Sequence, residues 1–475
     1  MLFNSFPFIL FFPIICAVYW LLDYVLPRRL KLAGCNLLLL GGSYYFYMCW
    51  QPKYALLLLL STVVTYSAAI FLSKSETKRG KKAWMVAAIV VNLAILFFYK
   101  YYGFAAECVT SLMKAAGISM AIPGLDVLLP VGISFYTFQA LGYLIDVYRG
   151  TTQPEKNFFT YALFVSFFPQ LVAGPIERST NLLRQFKERH SFDYDFAMSG
   201  FRLMLWGYFL KLCMADRAAM YSDIVFNNIH SHEGYSTLIA IVMFYLQLYG
   251  DFAGYSFIAI GCARILGFSL CENFRRPYFA VSVTDFWKRW HLSLSTWFRD
   301  YVYFPLGGSR GGKYKTYRNL MVTLGLSGLW HGANWTYVVW GLSQGMLMSV
   351  ERAIGWHKRV WHSWQRLIHI FIALMLVLLS LVIFRANSLT DAIVAFRQIF
   401  SISDFTLTHG ELILLLTGFV LLIVLAKECR EEFFSEKMSV LRNKVIVNYL
   451  WPAFLMICIG WMGVSGSRQF VYFQF

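Results

Sequence analysis

Two histidines carry the patterns in this chain that could do chemistry. His331 lies inside 319–350, a run of 32 residues with no Asp, Glu, Lys or Arg. An imidazole held in apolar surroundings stays neutral near pH 7, which is the state a general base needs. Gly325, Gly328 and Gly332 crowd it, and glycines let a second backbone or a substrate come close. His291 sits in TDFWKRWHLSLSTWFRD. Helical spacing there would gather Trp287, Trp290, His291, Leu294 and Trp297 on one side, flanked by Lys288, Arg289 and Arg299. Plainer readings exist for both: a core histidine bonded across helices for His331, and an amphipathic interfacial anchor for His291. No carboxylate lies within the uncharged run, so any group that orients His331 must come from elsewhere in the chain.

The elements that hold these rings are membrane helices. Of 475 residues 58% are hydrophobic and only 14% charged, against roughly 25% charged in soluble domains. That composition specifies an all-α polytopic membrane protein. The first charge is Asp23, and the absence of a basic leader points to a retained first helix rather than a cleaved signal. The net charge of +17 resides in loops between apolar spans, which fits the positive-inside bias and lipid headgroups and argues against nucleic acid. Nine cysteines form no CxxC pair and nine histidines show no HxxxH or HExxH spacing, so no metal site is expected.

Hydropathy places spans near 3–26, 32–50, 54–72, 84–104, 127–148, 196–214, 235–270, 367–385, 411–426 and 446–463, the seventh broken near Gly250-Asp251. The piece 105–126 reads as an outside loop. Alternating basic loops put the N-terminus outside. Segment 158–173 has basic residues on both sides and ends in FFPQLVAGPIERS, so it reads as a re-entrant dip. The segment 271–318, with nine basic and three acidic residues, is the strongest cytosolic signal. The 319–350 run follows it and reads as a second re-entrant hairpin with His331 near its turn. One integral domain, 1–475, is expected.

These motifs resemble the membrane-bound O-acyltransferase superfamily, in its bacterial polysaccharide branch, alginate O-acetyltransferase membrane subunit-like. The resemblance is carried by WKRWHLSLSTWFRDYVYFPLGGSRGG, NLMVTLGLSGLWHGANWTYVVWG, LLPVGISFYTFQALGYLIDVYRG, FFPQLVAGPIERS, LYGDFAGYSFIAIG and the tail FVYFQF. It departs at GDFAGYS, where that branch reads FDFSGYS. The resemblance implies about 10–11 transmembrane helices plus re-entrant elements, ringed around a thin core with a tunnel. It implies His331 as catalytic histidine and His291 as the second active-site histidine. It further implies transfer of an acetyl group from a cytosolic donor, acetyl-CoA, toward hydroxyls of an extracytoplasmic polysaccharide. A secreted SGNH-type partner could take part, and the setting would be a bacterial cytoplasmic (inner) membrane. His331 would act as base or as acetyl carrier. Asn334 would polarise the carbonyl, while Lys288, Arg289 and Trp330 would contact the donor; no cofactor is bound. Two other functions stay open: a lipid- or protein-directed acyltransferase of the same superfamily, and a proton-coupled transporter or flippase using an intramembrane histidine.

Overall fold

A computed structural model describes the chain except residues 126, 357–358, 360–362, 402–409, 435–444, 465–469 and 471–475. The tail motif beyond Phe470 and most of the basic loop before 445 therefore lie outside the described residues. All regular structure among the described residues is helical. Six stretches are both long and apolar enough to cross a bilayer: Phe6–Val25 (α1), Pro52–Lys74 (including α3, Ala55–Lys74), Lys78–Ala115, Gly234–Ile265 (α11), Trp364–Arg385 within α16 (Ser363–Arg385) and Glu411–Phe433 (α18). Large apolar side chains such as Leu10, Ile14, Leu21, Leu415, Phe419 and Leu422 are exposed along them. Such a surface is an aggregation liability in water and the expected coat in lipid. The protein is a polytopic membrane protein.

Contacts divide the chain into two compact units, Met1–Gly200 with Cys262–Cys271, and Phe201–Gly261 with Glu272–Phe475. In the first unit, α2 (Arg28–Met48), α6 (Ile133–Arg149) and the short α7 (Phe158–Ser166) and α8 (Phe168–Leu171) accompany the spans. Helix α4 (Lys78–Leu96) continues through a π turn into α5 (Tyr102–Ala115), so the expected outside loop at 105–126 is helical for its first half. Segment 158–173 breaks at Phe167. Nine residues of α7 reach about 14 Å, half of a hydrocarbon core of roughly 30 Å, so α7 is too short to cross as one helix.

The second unit contains the latter part of α9 (Tyr194–Phe209), α10 (Asp216–Asn227), most of α11, and everything from α12 (Val283–Phe286) and α13 (Leu292–Phe298) to α19 (Trp451–Met462). Helix α11 is continuous, contrary to the break expected at Gly250-Asp251. Its glycines serve close packing instead. A Cβ on Gly254 would lie 2.8 Å from the Gly207 carbonyl oxygen, and one on Gly250 would lie 2.9 Å from that of Leu210. Asp251 is satisfied inside the helix by the Lys211 ammonium at 2.5 Å, which also pairs with Asp216 at 2.8 Å. Neither partner is open to solvent, so burying these charges is feasible only because they are paired.

The uncharged run folds as two helices with His331 at the turn between them, α14 (Gly312–His331) and α15 (Trp335–Ala353). Both extend into charged flanks that hydropathy discounted, so each is long enough to span roughly 30 Å. Their backbones touch. A Cβ on Gly328 would lie 3.0 Å from the Gly341 Cα, and one on Gly341 2.9 Å from the Gly328 Cα. Gly341→Ala should therefore lower the thermal midpoint in detergent, by the equivalent of about 1–3 kcal/mol of overpacking. Gly418→Ala, on α18 with nothing within 4 Å of the new methyl, should leave it unchanged or raise it, as helix propensity favours Ala by about 1 kcal/mol.

Candidate active site

His331 is the last residue of α14, and Asn334 caps α15, its Oδ1 accepting the Thr336 amide at 3.0 Å. Only two residues separate ring and cap, so the hairpin turn fixes where the imidazole stands. It is 3% exposed. Trp330, Trp340 and Phe384 surround it edge-on, with ring centroids 5.1, 5.2 and 5.6 Å away.

His291 is fully buried, which removes the interfacial-anchor reading. The expected continuous helix is also broken there. His291 takes φ 45, a left-handed conformation between α12 and α13. A non-glycine residue in that region stores strain that the surroundings must hold. Two devices hold it. Asn273 Oδ1 accepts the Ser293 amide (3.2 Å), the Ser293 hydroxyl (2.9 Å) and His291 Nδ1 (3.1 Å). The Ser293 amide can only donate, so the accepting atom is the oxygen and His291 Nδ1 carries the proton. That leaves Nε2 as the acceptor nitrogen of a neutral ring. Glu351 of α15 accepts the Val283 and Thr284 amides and the Thr284 hydroxyl at 2.6, 2.9 and 2.6 Å, tying α12 to the hairpin.

Trp330 joins the two sites, its indole 5.9 Å from the His291 ring and 5.1 Å from the His331 ring. Phe252 closes the far side of His291 at 4.5 Å. A hole of about 10 Å³, room for about one water, lies against His331, lined also by Tyr245, Trp340, Gln344, Ser380 and Phe384. Gln344 Oε1 accepts Trp287 Nε1 at 3.3 Å, which fixes Nε2 as its other end. Gln344 Nε2 and Trp340 Nε1 are buried donors with no hydrogen-bond partner among the described residues. Two unpaired donors beside an imidazole in a dry pocket can stabilise an oxyanion.

The other residues singled out in the sequence fall elsewhere. Asn334 uses its carbonyl as the helix cap and points its amide at the Asn387 carbonyl (3.4 Å), so Gln344 and Trp340 are better placed for the carbonyl role. Arg289 is bound by Asp285 (3.0 Å) and Glu432 (3.1 Å), and Glu432 also holds Arg276 and Arg366. Lys288 is exposed. Neither cation touches the histidine pair. Sequence reading missed Asn273, Gln344, Glu351 and Phe384; of these only Glu351 had a signal, as the first charge after the uncharged run. No cluster of metal-ligating side chains occurs among the described residues.

The model of the membrane-bound O-acyltransferase family matches residues 155–390, which include both histidines. The chain is 38% identical over 458 residues to the probable alginate O-acetylase of Pseudomonas aeruginosa, covering 94% of this chain and 85% of that one. It is 39% identical over 412 residues to the counterpart in Pseudomonas syringae pv. tomato, covering 86% and 77%. The peptidoglycan O-acetyltransferase of Helicobacter pylori is 32% identical over 401 residues, covering 79% and 75%.

The Asn273 geometry yields a paired prediction. N273D keeps an acceptor for all three donors but buries a carboxylate and loses the amide that donates to Ser256 Oγ at 3.2 Å, so its thermal midpoint should fall, though less than that of N273L. N273L strands the three donors and should cost about 3 kcal/mol or more, read as a lowered midpoint or lost membrane accumulation.

Proposed function

We propose, for a chain that belongs to the membrane-bound O-acyltransferase family and is an acyltransferase, that its reaction is acetylation of a polysaccharide hydroxyl. The donor is a cytosolic acetyl thioester, acetyl-CoA. The acceptor is an extracytoplasmic sugar, reached directly or through a secreted SGNH-type acetyltransferase. The setting is a bacterial cytoplasmic membrane, and the two compact units act as one catalytic domain. The observation that carries this reading is the buried pair of imidazoles that both pack against Trp330, with His331 lining one small hole together with Gln344 and Trp340, whose buried N–H donors have no partner among the described residues. The relatives supply the acyl group and acceptor class: their names describe alginate and peptidoglycan O-acetylation.

In this reading His331 removes the proton from the acceptor hydroxyl as its oxygen attacks the thioester carbonyl. The carbon–oxygen bond forms, the carbon–sulfur bond breaks, and the proton passes from the imidazole to the departing thiolate. Gln344 Nε2 and Trp340 Nε1 meet the charge that develops on the carbonyl oxygen. His291, its tautomer set by Asn273, holds Trp330 and so the lateral position of His331. On the basic segment, Lys288 and the Arg276–Arg289–Arg366 group around Glu432 give the positive field that a phosphate-bearing donor needs.

The test is the acetyl content of cell polysaccharide in an expressing strain, with membrane levels of each protein checked. His331→Ala should abolish acetylation and His291→Ala should reduce it strongly; wild-type acetylation from the His331 variant would remove the base assignment. Gln344→Leu should slow acetyl transfer about 100-fold, the usual loss for an oxyanion donor, measured as turnover in membranes. An unchanged rate would take Gln344 out of the mechanism.

A further inference from the structure

One strongly charged patch plays no part in the reaction above. Helix α3 ends at Lys74 and α4 begins at Lys78, capped by Thr77, whose Oγ1 accepts the Gly80 amide at 3.0 Å. Across this tight turn stand five cations, Lys74, Lys78, Arg79, Lys81 and Lys82, against the single carboxylate of Glu76. Four of them are exposed and Lys81 is half-buried. None of the five has an ion-pair partner among the described residues. Exposed cations elsewhere do find one: Arg184 lies 2.9 Å from Glu188, Arg275 2.7 Å from Glu272 and Arg299 2.8 Å from Asp300.

These cations do nothing for the helix that carries them. Four of them open α4, whose first turn holds no acidic residue, and positive charge at that end opposes the helix dipole. Lys78 also stands one turn from Lys81 and from Lys82, spacings at which like charges repel. The positive-inside bias places the turn in the cytosol, and an anion seated among the cations offsets both penalties. What lies beneath the patch identifies that anion. Phe71, near the end of α3, and Trp84, in the second turn of α4, stack with ring centroids 4.8 Å apart and planes 27° apart. Both are nearly half exposed, at 46% and 44%, and at 1.5 Å per residue they stand about 5–9 Å from the turn. Val91 continues the exposed apolar face of α4 two turns below Trp84. A free phosphate or a nucleotide has no use for an apolar platform on the membrane side of the charges. A phospholipid presents both parts, its phosphate at the level of the cations and its glycerol and chains below.

We propose that the α3–α4 turn is a binding site for an anionic glycerophospholipid of the cytosolic leaflet. Its phosphate is held by Lys78, Arg79, Lys81 and Lys82, with Lys74 across the turn, and its glycerol and upper chains lie against Phe71 and Trp84. The site belongs wholly to the first compact unit, so it stands whether or not the acetyl-transfer reading does. A lipid bound there fixes the depth of the helix pair, because headgroup and aromatic pair then mark one level of the bilayer.

The test uses full-length protein in mixed micelles that offer phosphatidylglycerol and phosphatidylcholine together, with bound lipid counted by native mass spectrometry. Phosphatidylglycerol should be retained in preference, and the preference should fall as salt rises. The combined variant Lys78→Gln/Arg79→Gln/Lys81→Gln/Lys82→Gln should cut that preference at least about 10-fold, since each basic residue near an anionic surface contributes roughly 5-fold. Arg28, Arg29 and Lys74 remain to orient the unit, and the thermal midpoint in phosphatidylcholine checks that the variant is folded. Phe71→Ala/Trp84→Ala keeps every cation, so it tests the site even where the Gln variant fails to accumulate; it should weaken phosphatidylglycerol binding at least about 3-fold. Equal retention of the two lipids, or a preference that survives the Gln variant, overturns the site. Binding that Phe71→Ala/Trp84→Ala leaves unchanged, or that glycerol 1-phosphate displaces as readily as the lipid does, overturns the lipid in favour of a bare soluble-anion site.

Discussion

Everything at the candidate site depends on the contact between Gly328 and Gly341. Lipid offers no hydrophobic force between helices, so close packing and polar contacts must hold a membrane hairpin together. Two facing glycines let the α14 and α15 backbones touch within one turn of His331. That contact sets the length of the turn, which Asn334 then caps. With the turn fixed, Trp330, His331 and Trp340 acquire a single arrangement, and the third aromatic wall comes from Phe384 at the end of α16. A methyl group at either glycine would move the imidazole before it touched any reacting atom.

The surroundings explain why so few polar groups could suffice. The ring sits among indoles and phenyls in a space that admits about one water. In such a medium each donor or dipole acts more strongly than it would in water, so two N–H groups from Gln344 and Trp340 can matter. The same dryness makes polar errors costly. Hence the loop around His291 is tied down by Asn273 and Glu351, each taking three donors. The left-handed backbone at His291 is the strain these bonds hold in place.

Some of this was legible from residue order and some was not. The all-helical membrane class followed from composition, because charge is too scarce for a water-facing surface. His331 stood out because an imidazole in a long uncharged run must have a reason to be there. Glycine was the ambiguous letter. Gly250 was read as a break, yet a glycine that admits a neighbouring helix looks the same in sequence as one that ends its own. The turn at His291 was hidden for a related reason: nothing in WKRWHLSLS reveals a positive φ, so a continuous amphipathic helix was the natural expectation. Asn273, Gln344 and Phe384 lie 18, 13 and 53 positions from the histidine each one serves, and no local rule links them. Lys211 was passed over because Asp251, 40 positions away, comes close to it only after folding.

The most direct measurement is an experimental structure of the chain in a lipid bilayer with a non-hydrolysable acetyl-CoA thioether analogue bound. The account places the acyl carbonyl oxygen within hydrogen-bond reach of Gln344 Nε2 or Trp340 Nε1, with the acyl carbon about 3–3.5 Å from where a hydroxyl held by His331 would lie. An acyl group seated away from His331, with that ring still sealed among Trp330, Trp340 and Phe384, would contradict it.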